Sequence, residues 1–482
     1  MLFVAAEAAP FAKVGGLADV IGALPKALRK LGVDARVLIP AYALVTSDPR
    51  WAVTQATDPF QVRMNDHWSE PSGLLETEVD GLPVCLLQSD RFFADCSSSQ
   101  SLYGPGFERH LFLSAGTLAA MEQLDWIPDV IHCHDFHTGF LPVLLKEKAG
   151  PVWSKTASIF TIHNLAYQGE WGTEVLDALG LSHDLFTPDK LETWGRVNFL
   201  KAGCAFADRV NTVSPNYARE IQSPEYGCAL EGLMRYLNDQ GRLSGILNGI
   251  DTTVFDAATD PHIPATYWPD HLEGKATCRT KLIEECGFTA DNQTPVVGLI
   301  GRLSHQKGLD LVLSRIEELV KLPIQLVVLG SGDPVLADAL RLAEYDFPGN
   351  VRFFDRFDEA LAQRIYAGSD LFLMPSNFEP CGLGQLIALR YGTLPIVRAT
   401  GGLRDTVFND VNGFVFYDRS PDALVGAVER AVNTWRDQEA RLAMVGRAMA
   451  GDYGWTESAR KYVDLYGAAL DGLQPAVELG RP

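Results

Sequence analysis

The sequence is short of positive charge: 41 lysines and arginines stand against 61 aspartates and glutamates in 482 residues, a formal net charge of −20. So acidic a chain is a poor candidate for nucleic-acid binding, which needs a basic face. Any anionic ligand must find a locally basic pocket. No apolar run approaches the roughly 20 residues that a membrane helix requires, so no membrane partner is expected. The first residues carry no basic segment, and Glu7 breaks the opening apolar run, which speaks against a secretory signal. The eight cysteines (85, 96, 133, 204, 228, 278, 286 and 381) include no CxxC and no zinc-like pairing. In a chain of this size that pattern suits reduced thiols and a cytoplasmic location.

What the chain does have is alternation. Short β-branched or apolar runs ("LFVAA", "ARVLIP", "PVCLLQ", "VIHCH", "ASIFTI", "RVNTVS", "GILNG", then "PVVGLIG", "QLVVLG", "VRFFD", "LFLMP", "LPIVR") are separated by longer helical patterns. This predicts an α/β protein with parallel sheets covered by helices on both faces. At about 150 residues per domain the length suits two large doubly wound domains. The expected boundaries are 1–245, 246–455 and a final segment 456–482, made of a helix crossing back to the first domain and a loose tail. Ser214-Pro215, Asp333-Pro334 and Ser420-Pro421 each place a capping side chain before a proline at the first helical position. Pro25 falls inside the first helical pattern and predicts a kink.

Candidate chemistry collects where open α/β sheets bind ligands, beyond the carboxyl ends of strands. "KVGGLAD" places Lys13, Gly16 and Asp19 at a helix mouth, suited to an anion or to an ordinary strand-to-helix turn. "GGLAD" recurs as "GGLRD" at 401–405, the same loop solution in two halves or a coincidence of five residues. "HCHDFHTG" carries Asp135 and His137; its order departs from a HxHxDH metal motif, and no second His/Asp cluster follows. Buried strand histidines beside a ligand-facing Asp135 are the expectation, with no metal. "TIHNLAYQG" offers His163 and Asn164, and "LNGID" offers Asn248. In "GRLSHQKGLD", Arg302 and Lys307 suit a diphosphate, or are surface cations beside a cap. "FEPCGLGQ" sets Glu379 at a helix mouth, and Ile387 stands where an E-x7-E motif would have its second acid. Whether Asp135 and Glu379 act together, spacing does not say.

Taken in order over nearly the whole chain, "KVGGLADVIGALPKAL", "HDFHTG", "TIHNLAYQG", "TVSPNYAREI", "GRLSGILNGID", "GRLSHQKGLDLVL", "FEPCGLGQL" and "YGTLPIVRATGGLRDTV" resemble the bacterial glycogen synthase and plant starch synthase family. The resemblance implies two Rossmann-like domains facing a deep cleft, the GT-B arrangement. It also implies a retaining transfer of glucose from ADP-glucose to the 4-hydroxyl at the non-reducing end of an α-1,4-glucan, with no metal or other cofactor. Carried over position by position, Lys13, with the Gly16 amide and a supporting Asp19, would contact the donor diphosphate and glucose. Asp135, His163, Asn164 and Asn248 would line the sugar site, and Arg302 and Lys307 would neutralise the departing diphosphate. Glu379, with the backbone of Cys381, Gly382 and Leu383, would hold the glucose hydroxyls, and Phe357 would stack on adenine. The chain departs from the family pattern at Gly384, where a threonine is usual, and in a shortened 90–111 segment in which Tyr103 is the remnant of a tyrosine-bearing loop. A non-catalytic glucan- or nucleotide-sugar-binding protein on the same fold is the alternative.

Overall fold

A computed structural model describes residues 1–290 and 293–473. The tail read as loose lies almost wholly outside them. The chain divides into two compact units: residues 1–213 and 218–248 with the segment from Trp455 onward, and residues 214–217 with 249–454.

The first unit is built on a nine-stranded sheet. Its order is Leu243–Gly245, Arg209–Thr212, Ala157–Ile162, Val130–His134, Leu2–Val4, Arg36–Pro40, Leu82–Leu87, Leu74–Val79 and Thr54–Gln55. The first seven strands pair in parallel and the last two antiparallel. The central strands Val130–His134 and Ala157–Ile162 are buried at every residue, as strands covered on both faces must be. The antiparallel edge is not legible in the sequence because "LLETEV" has no continuous apolar run and buries only Leu74 and Thr77. The expected strand "GILNG" lies two residues early, at Leu243–Gly245, so Asn248 follows the strand.

The second unit carries a six-stranded, wholly parallel sheet in the order Val351–Phe354, Gln325–Leu329, Val296–Ile300, Leu371–Met374, Leu394–Arg398, Phe414–Phe416. Numbered along this unit the order is 3-2-1-4-5-6, the doubly wound Rossmann arrangement. Its core joins Val297, Leu299, Leu326 and Val328 with Phe372, Ile396 and Phe414, all nearly inaccessible.

Helix starts follow their local chemistry. Ser214 Oγ accepts from the Tyr217 amide at 2.8 Å, Asp333 from Val335 at 2.8 Å and Ser420 from Ala423 at 3.2 Å, each beside a proline at the first helical position. The first helix, Gly16–Lys30, continues through Pro25. The ring removes one amide donor but does not end the helix, whose Leu17, Val20, Ile21, Leu24 and Leu28 are buried on one face. The last helix, Thr456–Asp471, packs in the first unit, where Ser458 Oγ donates to the Leu247 carbonyl at 2.5 Å.

Candidate active site

Each sheet has one place where its winding reverses. In the first unit this lies between Leu2–Val4 and Val130–His134, and in the second between Val296–Ile300 and Leu371–Met374. Loops leaving adjacent strands diverge there and open a crevice at their carboxyl ends. Lys13 and Asp135 follow the first pair of strands; Arg302, Lys307 and Glu379 follow the second.

In the first unit, Asp135 takes a φ of 56°, a conformation that non-glycine residues rarely adopt and that clusters at functional sites. Its buried carboxylate accepts the backbone amides of His163, at 2.8 Å, and Asn164. Burial dominates nonetheless and pushes its pKa up to about 7, the two amides opposing the shift and nearby Glu7 adding to it. His163 is held neutral by burial, its pKa lowered to about 3. Its Nε2 lies 3.0 Å from Nδ1 of His134. Lys13 pairs with Asp19 at 2.8 Å, so this acid of the "GGLAD" loop steers the lysine. Gly16 opens the helix behind it. Asn248 is buried, and its side-chain oxygen has no partner among the described residues.

The three histidines of "HCHDFH" are absorbed by the fold. His132 bonds Tyr466 Oη at 3.0 Å and Thr161 Oγ1 at 2.6 Å, while His137 stacks on Tyr103 at 4.6 Å. Among the described residues, no group of three or more histidines, cysteines or carboxylates is placed to hold a metal ion.

Glu7 is a site residue that the sequence by itself shows only as an interruption of an apolar run. It is buried, accepts the amides of Val14 and Gly15, and is hydrogen-bonded to the Tyr103 hydroxyl. It therefore ties the Lys13 loop to the Tyr103 segment. Burial raises its pKa, those three hydrogen bonds opposing the shift. A lone carboxylate between "LFVAA" and "AAPFA" was the available signal: an acid in such a stretch is buried and needs partners.

In the second unit, Lys307 Nζ lies 2.7 Å from Glu379 Oε2, which also accepts from Ser376 Oγ at 3.0 Å. The loops that follow the two strands at the switch point are thus joined by an ion pair whose acid is buried. The Glu379 loop is held from behind by Arg398, a buried arginine unmarked in the sequence reading, which donates to the carbonyls of Ser376 (2.7 Å) and Asn377. A charged residue ending the apolar strand "LPIVR" was its only sign. Gly382 has a φ of +73°, and the Gln385 side chain donates to the carbonyls of Cys381 and Gly382, at 3.1 and 2.8 Å. Leu383 then leads into the helix Gly384–Arg390. At Gly401, of the recurrent "GGLRD", a Cβ would sit 1.8 Å from the Glu379 carbonyl oxygen, so only glycine fits. The two copies of the loop are used differently: Asp19 pairs with Lys13, whereas Asp405 accepts the Asn216 amide at 2.8 Å. Arg302 follows the strand Val296–Ile300, and Phe357 is an exposed ring just beyond the strand Val351–Phe354.

Comparison with known proteins agrees over the full length. Residues 1–236 match the starch synthase catalytic domain, and residues 287–449 match glycosyl transferases group 1. A glycogen synthase of Anaeromyxobacter sp. (strain Fw109-5) is 44% identical over 479 residues, 97% of this chain and 98% of its own. One from Syntrophotalea carbinolica is 41% identical over 98% and 99%. The catalytic domain of starch synthase IV from Arabidopsis thaliana, solved with ADP and acarbose, superposes with a TM-score of 0.90 at 35% identity, over 98% of this chain and 99% of that one. A sucrose-phosphate synthase from Thermosynechococcus elongatus, 18% identical with a TM-score of 0.59, shares the fold. Two Rossmann-like units, the residue sets at their switch points and this full-length similarity lead to one assignment: the chain belongs to the bacterial glycogen synthase and plant starch synthase family of retaining, GT-B glycosyltransferases.

Proposed function

We propose that this enzyme transfers glucose from ADP-glucose to the 4-hydroxyl at the non-reducing end of an α-1,4-glucan, with retention of configuration. The observation that carries the proposal is the 40–44% identity to glycogen synthases along essentially the entire chain. Site chemistry supports it. Arg302 and Lys307 supply the positive charge that a departing diphosphate needs, with no step that calls for a metal. In the same role Lys13, beside the Gly16 amide and steered by Asp19, reaches donor oxygens.

Glu379, fixed by Lys307 and Ser376, accepts hydrogen bonds from glucose hydroxyls, while the backbone of Cys381, Gly382 and Leu383 borders the same sugar. Asp135, His163, Asn164 and Asn248 hold the transferred glucose; the Asn248 oxygen, which has no partner among the described residues, fits a sugar hydroxyl. Phe357 offers a ring face to adenine. Glu379, the only carboxylate of the "EPCG" loop, is held by Lys307 and Ser376, and the Asp135 carboxyl is engaged by the amides of His163 and Asn164, so neither stands ready as a nucleophile. Retention then follows a front-face route in which the leaving phosphate helps to remove the acceptor proton. Eight free cysteines, and no described helix long and apolar enough to cross a membrane, fit a cytoplasmic setting.

The test is a donor panel. With glycogen as acceptor, ADP-glucose should release ADP and extend the glucan, and UDP-glucose should do so more slowly. No glucan extension with either donor would refute the reading.

A further inference from the structure

We infer that His134, which lies beneath the sugar-binding residues, is a positioning residue that fixes the tautomer of His163. His134 is completely buried, its ring stacked on Phe3 at 5.6 Å and against His132 at 4.1 Å. Its backbone amide donates to Thr138 Oγ1 at 2.7 Å, and His132 is pinned in turn by Tyr466 and Thr161. The ring therefore has one place to sit. Of its two nitrogens, Nδ1 lies 3.0 Å from His163 Nε2, while Nε2 is buried with no partner among the described residues.

One proton must lie between the two rings. If His163 Nε2 donated it, His134 would carry its own proton on Nε2, as a buried N–H with no acceptor among the described residues. If His134 Nδ1 donates, only a lone pair is left bare at Nε2. Unpaired buried N–H groups are the rarer and costlier defect, so the proton belongs to His134 Nδ1. His163 then accepts on Nε2 and carries its proton on Nδ1, the opposite of the tautomer that an unconstrained imidazole favours. Burial lowers the pKa of both rings, which keeps both neutral and the pair directional. His163 thereby presents an N–H donor, so it serves an oxygen lone pair of the sugar and not a hydroxyl proton. This kinetic consequence rests on the glucosyl-transfer reading; the tautomer itself does not.

The test has two arms on the full-length protein. In the first, long-range 1H–15N correlation spectra of ligand-free, histidine-labelled protein are recorded, with the His163 signals assigned by their loss in His163→Gln. The expected result is an unprotonated Nε2 and a protonated Nδ1 for His163, shifting toward Nε2–H in His134→Phe, which keeps the ring packing but not the donor. Protonated Nε2 in the wild type overturns the inference whether or not the variant folds and whatever the enzyme turns over. In the second arm, His134→Phe should lower kcat about tenfold or more with little change in KM for the donor. His134→Asn, whose amide can still donate at the Nδ1 position, should recover most of that loss. The His134 effect should vanish in a His163→Ala background. An equal loss in that background would show a merely structural role and overturn the inference. Absence of any turnover with ADP-glucose in the wild type would instead count against the glucosyl-transfer reading, and leave the spectra to decide the tautomer.

Discussion

The stability that Asp135 contributes should fall as pH rises, and the size of the effect follows from its surroundings. Burial lifts its pKa from the ordinary 3.8 to about 7 in the folded state. Below pH 3.8 the carboxyl is protonated in both states and the contribution is fully present. As pH rises the unfolded chain releases the proton first, so stability falls between about pH 4 and 7 and levels off above. The gap is about three units, which at about 1.36 kcal/mol per unit makes the total loss about 4 kcal/mol, with about 2–3 kcal/mol of it between pH 5 and 8. Asp135→Asn removes the titration while keeping an oxygen for the His163 amide; any packing difference it adds is independent of pH. Melting temperatures of the two proteins, compared from pH 5 to 8, should therefore diverge in favour of the variant by roughly 5–10 °C, on the usual scale for large domains. The same variant should lose most of its activity under the role proposed for Asp135 in holding glucose, an exchange of stability for function. Melting profiles that run parallel across this range would refute the reasoning, for they would mean that the amides of His163 and Asn164 outweigh burial.

Three further outcomes are expected. Arg302→Ala and Lys307→Ala should each lower kcat by on the order of 10² or more, the scale for losing one electrostatic donor to a developing charge, with a smaller change in KM; steady-state kinetics with unchanged kcat and weakened donor binding would contradict the leaving-group role. Glu379→Gln should reduce activity by weakening sugar positioning, and intact-protein mass spectrometry of the wild type during turnover should find no glucosyl-enzyme. Gly401→Ala should displace the Glu379 loop, because its Cβ would collide with the Glu379 carbonyl; a drop in kcat together with a lower melting temperature is expected, whereas a fully active variant would show that the loop can yield.

Much of this protein could be read from its residues alone. Fully buried parallel strands announce themselves as continuous apolar runs, so twelve of the strands fall on or beside such runs, and Ser-Pro or Asp-Pro pairs mark helix starts because capping and the fixed φ of proline are local physics. The antiparallel strand Leu74–Val79, second from the sheet edge, escaped, since a half-exposed strand carries polar residues and its partners are chosen by the sheet. In the candidate site, Lys13, Asp135, Arg302, Lys307 and Glu379 stood out as charges at strand ends, which strand order alone places at the two switch points. What the sequence could not supply was the company each charge keeps. Glu7 is separated from Tyr103 by 96 positions and from Gly15 by eight, yet it meets both; Arg398 reaches carbonyls 21 and 22 residues back; His134 and His163 meet across adjacent strands. Burial and hydrogen bonding decide the protonation of Asp135 and His163, and both are properties of packed tertiary structure, created only when distant segments exclude water from one another.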